Sequence, residues 1–268
     1  MISNILSRKN RILFRELVIT DFKLRYQGSA LGYLWSILKP LFLFAIMYFV
    51  FGYIFDLRGD VPYFPVYMLI GIVLWSFFTE ATTQGLQAIV ARGDLIRKIN
   101  FPKYIIIVSG TTSALINLFF NILVVIFFVV ITGVPITWAA ILLPLLVVEL
   151  YIFALALAFL LSAVNVRYRD VGYLWEIVLQ AMFYGTPILY TMSYVMDKSL
   201  LIAQIMLLNP VAQVIQDARY VVVSDKTVTS WQLLDQGLGF VPVVLVGVIL
   251  LIAALYFRST SKYFAEYV

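Results

Sequence analysis

Four charged side chains, Arg92, Asp94, Arg97 and Lys98, crowd into residues 92–98 of a 268-residue chain that is 63% hydrophobic and only 12% charged. Mixed charges at this density suit recognition of a partner surface, where rim charges set partner choice and association rate. A second, smaller group follows at Arg167, Arg169 and Asp170, with Asp170 placed to cap a helix beginning at residue 171. Covalent chemistry has little to work with. The chain has no Cys and no His, so thiolate nucleophiles, Cys-ligated metals and the commonest general base are absent. No Gly-x-x-x-x-Gly-Lys-Ser/Thr loop is present to cradle a nucleotide. Carboxylates do not cluster as a metal site requires. Glu80, Glu149 and Glu176 are the acids in or beside apolar stretches. Only Glu149 lies deep, and it reads as a structural partner for Ser, Thr or Asn on a neighbouring helix. Aromatics make up 16% of the residues. Most suit lipid contact or the interfacial belts, but rings can also stack on sugars. Tyr48, Tyr67, Trp75, Phe78, Tyr184 and Tyr190 are the candidate channel residues.

The elements that must position these groups are membrane spans. A mean hydropathy of +0.99 and a charge content about half that of a soluble domain indicate an all-α polytopic membrane protein with one transmembrane domain. Six spans are expected, at 38–55, 61–80, 104–131, 138–164, 171–190 and 240–257, each near the roughly 20 residues that cross a bilayer. Pro40 is read into the first turn of the first span. Residues 10–30 alternate as an amphipathic helix suited to the membrane interface. The first 27 residues are basic and lack the apolar core of a signal peptide. The segment 86–103 is the expected cytoplasmic coupling segment. The segment 195–223 differs from the rest. Its two apolar runs, broken at Asn209-Pro210, are each too short to span and too apolar for a soluble loop. It reads as a re-entrant helical hairpin, with Asn209 and Pro210 at its turn and Asp217 and Arg219 near an outer exit. There Arg219 could meet a phosphate, an acidic sugar or an acid.

Charge distribution supplies the sidedness. With six spans and both termini inside, 15 of the 19 Lys and Arg fall on inner segments, and Arg58, Lys198, Arg219 and Lys226 fall outside. That bias follows the positive-inside rule. It also accounts for the net charge of +5 without any nucleic acid.

The stretch Arg25-Tyr-Gln-Gly-Ser-Ala-Leu-Gly-Tyr-Leu-Trp35 with Pro40, the pairs Arg97-Lys98 and Phe101-Pro102 after Asn100, Arg167-Tyr-Arg-Asp170, Pro187-Ile-Leu-Tyr190, and Asn209-Pro210 with Arg219 together resemble the permease subunits of ABC exporters for bacterial cell-surface polysaccharides. That group covers O-antigen, capsule and teichoic acid, and permeases for rhamnose-rich wall polysaccharide look closest. The resemblance implies a homodimer paired with two copies of a cytoplasmic ATPase subunit. It implies that ATP and Mg are held by that subunit and no cofactor by this chain. It implies a lipid-linked polysaccharide carried from the cytoplasmic to the outer face of a bacterial plasma membrane. It further implies that the central charged segment couples to the ATPase and that the hairpin gates the outer side.

Two other functions are weighed against this. An ion-coupled secondary transporter needs acids deep in several spans, often with inverted repeats, and only Glu149 qualifies. A membrane-bound sugar transferase needs the His, Cys or carboxylate clusters that are missing. An ABC exporter of a different lipid-linked substrate remains compatible with the same residues.

Overall fold

The computed structural model describes residues 7–57, 61–99, 101–234 and 237–267, and among these every regular element is helical. In chain order they are α1 (Arg8–Tyr26), α2 (Trp35–Met47), α3 (Phe64–Ala91), α4 (Gly93–Lys98), α5 (Tyr104–Thr132), α6 (Leu143–Arg167), α7 (Val171–Gly185), α8 (Met192–Lys198), α9 (Leu200–Leu207), α10 (Pro210–Val222), α11 (Ser230–Leu233), α12 (Val241–Thr260) and α13 (Phe264–Tyr267). Among the described residues, five helical stretches are long and apolar enough to cross a membrane: Gly32–Ile54, Phe64–Ala91, Tyr104–Thr132, Trp138–Arg167 and Leu238–Tyr263. A sixth crossing arises only if α9 and α10, bent by 97° at their junction, count as one.

The expected boundaries shift for local reasons. The first span begins before 38, because α2 starts at Trp35 behind a 3-10 turn at Gly32–Leu34. Pro40 therefore lies inside the helix, not in its first turn as expected. Its missing N–H orphans the carbonyl of Ser36, four residues back. Asn121 Nδ2 of α5 donates to that oxygen at 3.1 Å, which removes most of the penalty. Beyond Met47 the helix continues as a π-helical stretch, Tyr48–Ile54. α3 runs to Ala91, so residues 86–91 of the expected coupling segment continue this helix. No proline interrupts this stretch and Gly85 tolerates a close crossing, so the helix stops only at Arg92-Gly93.

The fifth expected span, 171–190, differs most. α7 has 15 residues and ends at Gly185, giving about 22 Å of helix at 1.5 Å per residue against a core of about 30 Å. Pro187 disfavours α geometry at Thr186, which is extended at ψ 137°. The chain then turns irregularly to Thr191. Short helices follow, each with a side-chain cap. Thr191 accepts from Tyr194 N, Ser199 from Ile202 N, and Asn209 Oδ1 from Val211 N at 3.0 Å.

α3 is the centre of the molecule. In its most apolar window 78% of residues are buried, against 11–33% in the other four spans. It packs on α5 and α6, and α12 packs on the far side of α6. The α3–α6 crossing is close at Gly85, where a Cβ would overlap Ala158. A polar clasp reinforces this crossing, Asn165 Nδ2 donating to Leu86 O at 3.2 Å, and a second ties α7 to α3, Trp175 Nε1 donating to Thr82 Oγ1 at 3.2 Å. α1 lies against α5, with Leu17 buried among Ala88, Ile89 and Ile105.

This packing makes two glycines respond oppositely. Gly85→Ala forces α3 and α6 apart and is expected to cost about 1–3 kcal/mol, the usual cost of overpacking. Gly110→Ala places its methyl at 3.9 Å from Gln84 Cβ, an ordinary contact, and gains up to about 1 kcal/mol of helix propensity. Thermal unfolding of the purified chain in one detergent checks both. Equal melting temperatures for the two variants would contradict the close crossing.

Candidate functional site

A cleft of 690 Å³ opens between α2, α3 and α5. Its charged lining consists of Arg25, Lys39 and Glu80. Arg25, near the C-terminus of α1, forms an ion pair with Glu80 of α3. The same carboxylate oxygen, Oε1, accepts from Asn117 Nδ2 of α5 at 2.7 Å and from Gln84 Nε2, one turn along α3, at 3.0 Å. Three donors on one oxygen fix this corner. Lys39 lines the same cleft from α2 and has no hydrogen bond or ion pair among the described residues. One held cation and one without a partner thus share the cleft with a single carboxylate. The remaining lining combines hydroxyls, Ser36, Ser76, Thr79 and Thr83, with rings, Trp35, Trp75, Phe77 and Phe183. Rings beside hydroxyls and one unmatched positive charge suit a ligand carrying sugar faces and an anion.

The expected charged surface divides in two. Asp94, Arg97 and Lys98 of α4 are exposed, and Arg97 Nη2 donates to Asp94 Oδ1 at 3.0 Å within the helix. The buried Ile96 holds α4 onto a cluster that includes Phe101, Ile105 and Phe264. Arg92 differs. It turns back to form an ion pair with Asp21 of α1, and burial lowers its pKa from the ordinary guanidinium value. It braces α1 against the end of α3 and is not part of the exposed surface. Arg167, Arg169 and Asp170 are exposed beside one another, with Arg167 over the Tyr168 ring at 5.2 Å. Asp170 occupies the N-cap position of α7, but its side chain makes no capping hydrogen bond, so the expected cap is absent. Its own backbone is helical at φ −69° and ψ −16°, outside the extended geometry that N-capping prefers.

The candidate channel aromatics do not gather in one site: Trp75 touches Phe78 at 5.7 Å between ring centroids and Tyr190 meets Tyr184, but only Trp75 of the six lines the cleft. Tyr67 and Phe78 are fully buried, and Tyr48 stacks on Phe44 at 5.7 Å between ring centroids. All three are packing residues of the α2–α3 region. Trp75 does line the cleft. Tyr184 is exposed at the end of α7, and the Tyr190 hydroxyl donates to its carbonyl at 2.8 Å.

In the gate segment, Asn209 caps α10 and Pro210 is its first residue, as the break requires. Arg219 meets neither a phosphate nor an acid. It is fully buried, and its guanidinium donates to Tyr67 O at 2.8 Å, Ile188 O at 2.8 Å, Pro187 O, and Gln216 Oε1 at 3.0 Å. It also stacks on the Tyr67 ring, 3.6 Å from the centroid. Gly71 makes room for it, since a Cβ there would collide with Nη2. Asp217, one turn past Gln213, accepts from Gln213 Nε2 at 2.7 Å.

The residues 12–223 match the family model described as ABC-2 type transporter. This chain belongs to the ABC-2 type transporter family. It is 32% identical over 189 residues to the O-antigen export system permease protein RfbA of Myxococcus xanthus, covering 70% of this chain and 72% of that one. It is 30% identical over 197 residues to the RfbA protein of Klebsiella pneumoniae, covering 73% and 74%. A shorter match, 29% over 85 residues, covers 32% of this chain and 33% of the polysialic acid transport protein KpsM of Escherichia coli.

Sequence reasoning missed Arg25, Lys39, Glu80 and Asn117 as one site. Signals existed: Lys39 and Glu80 are charges in apolar stretches, and Asn117 and Asn121 are one helical turn apart. Pairing across 55 residues of sequence, as between Arg25 and Glu80, leaves no local periodicity to read.

Arg219→Lys keeps the charge but cannot serve four acceptors in a planar fork. Each buried acceptor left without a donor costs about 1–3 kcal/mol. The variant is expected to melt several degrees lower, and Arg219→Ala lower still. Wild-type melting of Arg219→Lys in detergent would show that charge alone suffices.

Proposed function

We propose that this chain is the membrane permease of an ATP-driven exporter that moves a lipid-linked polysaccharide across a bacterial plasma membrane. Its family membership, the names of its relatives and the chemistry of its cleft support this reading. The carrying observation is the cleft itself: an unpaired Lys39 and an Arg25 held by Glu80, set among hydroxyls and rings inside a bundle of apolar spans. A charge inside a span is costly, and where it faces a cavity it marks a candidate transport path. A lipid-linked glycan offers the complement, with its linking phosphate for the cations, its sugars for the rings and its chain for the apolar walls.

In this reading two copies pair, each presenting its open cleft to the other, and the polymer passes between them. α1 lies in the inner interface. The α9–α10 bend is a re-entrant hairpin on the outer side, so that the membrane is crossed six times if α7 and the irregular stretch after it complete one passage. Both termini are cytoplasmic. Exposed Asp94, Arg97 and Lys98 on α4, with Arg167, Arg169 and Asp170 nearby in role, dock on two ATPase subunits that carry ATP and Mg. Arg92 supports α4 from behind through Asp21.

Two variant sets test this in cells whose surface polysaccharide depends on the chain. Arg97→Glu with Lys98→Glu should abolish co-purification of the ATPase and export, while the permease still inserts and melts normally. Lys39→Gln should lower export about 10–100-fold, the range for one charge-assisted hydrogen bond of about 1.5–3 kcal/mol, and Lys39→Arg should largely restore it. Wild-type export in Lys39→Gln would remove the cleft from the translocation path. Intact ATPase binding in the double reversal would remove α4 from the docking surface.

A further inference from the structure

The chain beyond α12 folds back onto the exposed helix α4. A 3-10 turn, Ser261–Tyr263, leads from α12 into α13, and α13 packs against both α4 and α6. Two contacts hold this segment in place. Phe264 is fully buried. Its ring meets that of Phe257 on α12 edge-on at 5.5 Å between centroids, and Phe257 in turn meets Phe159 of α6 at 4.9 Å. Lys103, between α4 and α5, makes the second contact. Its Nζ donates to Ser261 O at 2.6 Å and lies 5.8 Å from the centroid of the Phe264 ring, close enough for attraction to the π face. Lys103 therefore differs from Arg97 and Lys98, which are exposed. Its charge is directed inward, at the segment after α12.

α4 needs outside support. It has six residues, well below the roughly 12–15 at which an isolated helix persists in water. Ile96 is its one buried side chain larger than glycine. The ion pair of Arg92 with Asp21 fixes the junction before Gly93. It does not fix the rotation of the turn beyond, and that rotation decides where Asp94, Arg97 and Lys98 point. The rotation follows from how Ile96 seats in its cluster. That cluster includes Phe101, Ile105, Phe257 and Phe264. α13 thus brings its buried ring into the seat of α4, while its Glu266 and Tyr267 stay exposed.

We propose that Ser261–Tyr267 is a strut that sets the orientation of α4, and that Phe264 and Lys103 are positioning residues of the ATPase-docking surface. Phe264 is buried and acts through α4, not by contact with the partner. The ring packs the seat of Ile96, and the Lys103 bond to Ser261 keeps the strut closed beside it. A docking helix already held in one orientation avoids part of the ordering cost of association. The strut also joins α4 to α12, so that the docking helix is attached to two spans, to α3 along the chain and to α12 through the ring contacts. The inference rests on the reading of α4 as the docking helix, but the strut itself can be tested without the partner.

Hydrogen exchange of the amides of residues 96–99, in the full chain in phosphatidylcholine nanodiscs with no ATPase present, reads the strut alone. Phe264→Ala should lower their protection about tenfold or more, a modest share of what removing a buried ring ordinarily costs. Protection of α7, which has no residue in this cluster, should stay level, as a general loss of folding would not allow. Phe264→Leu should restore most of the loss. Lys103→Met keeps the stem and removes the donor. It should loosen the same amides by a smaller factor, and it carries the test if Phe264→Ala fails to insert. With the ATPase present, Phe264→Ala should reduce the amount that co-purifies about tenfold, the equivalent of ordering one or two side chains on docking, and Phe264→Leu should recover it. Native protection of residues 96–99 in both Phe264→Ala and Lys103→Met overturns the strut. A loosened α4 with undiminished co-purification overturns the positioning role. Intact ATPase binding in Arg97→Glu with Lys98→Glu, alongside the expected losses of protection, overturns the docking reading and leaves the strut standing.

Discussion

Arg219 is the interaction on which the segment from Pro187 to α10 depends. Backbone carbonyls at membrane depth must find donors inside the protein. When α7 stops at Gly185, the carbonyls of Pro187 and Ile188 lose any helical partner, and Arg219 supplies it from α10. The planar fork suits this task, since it presents donors in fixed directions. The same guanidinium takes the carbonyl of Tyr67 and lies on its ring, so one side chain joins α3, the turn after α7, and α10. Its charge is dispersed over carbonyl dipoles and a π face, with no carboxylate in contact.

Lys39 shows how differently burial treats two cations of one chain. Both lie on helices of largely apolar sequence. Arg219 has four acceptors and no room around it. Lys39 has an open cleft and no partner among the described residues. Satisfied polar groups rigidify, whereas unsatisfied ones are costly unless something else completes them. Glu80 sits between these cases. Its Oε1 is saturated by Arg25, Asn117 and Gln84, and so it shapes the cleft without leaving a net negative charge there.

The all-helical class was legible from composition, and four of the five spanning stretches begin within three residues of the apolar runs that announced them. The boundaries that moved did so through tertiary partners. Pro40 is tolerated inside α2 because Asn121 rescues the Ser36 carbonyl, and no local rule contains Asn121. The site was less legible. A single sequence marks Tyr67 and Phe78 as rings but not which way they face, and both proved to be packing. Exposed Asp94, Arg97 and Lys98 stood out because they are local and polar. Arg92, in the same run, belongs to the interior because its partner Asp21 lies on another helix. Polar residues in spans carried more information than aromatics. Glu80, Asn117 and Arg219 all lie in polar contacts, whereas rings are too numerous here to discriminate.

The remaining relation is mechanical and centres on α3. At about 1.5 Å per residue its 28 residues make a rod of about 42 Å. Tyr67 near one end carries Arg219 and so the gate segment. Glu80, thirteen residues further on, fixes the cleft wall. Past Ala91 the chain passes directly into α4, which presents the exposed charges, and Arg92 at the junction is tied to α1. The rod is enclosed by α5 and α6, with Gly85 so close to Ala158 that a bend there meets backbone. A force applied to α4 therefore acts on α3 as a whole, because its surroundings oppose bending along most of its length. The cleft and the anchor of Arg219 are fixed to that one rigid element. Communication between the proposed docking surface and the far end of the molecule then needs no relay of side chains. It needs only a small displacement of α3 against α5 and α6, which the interdigitated core admits as discrete repacking and not as gradual strain.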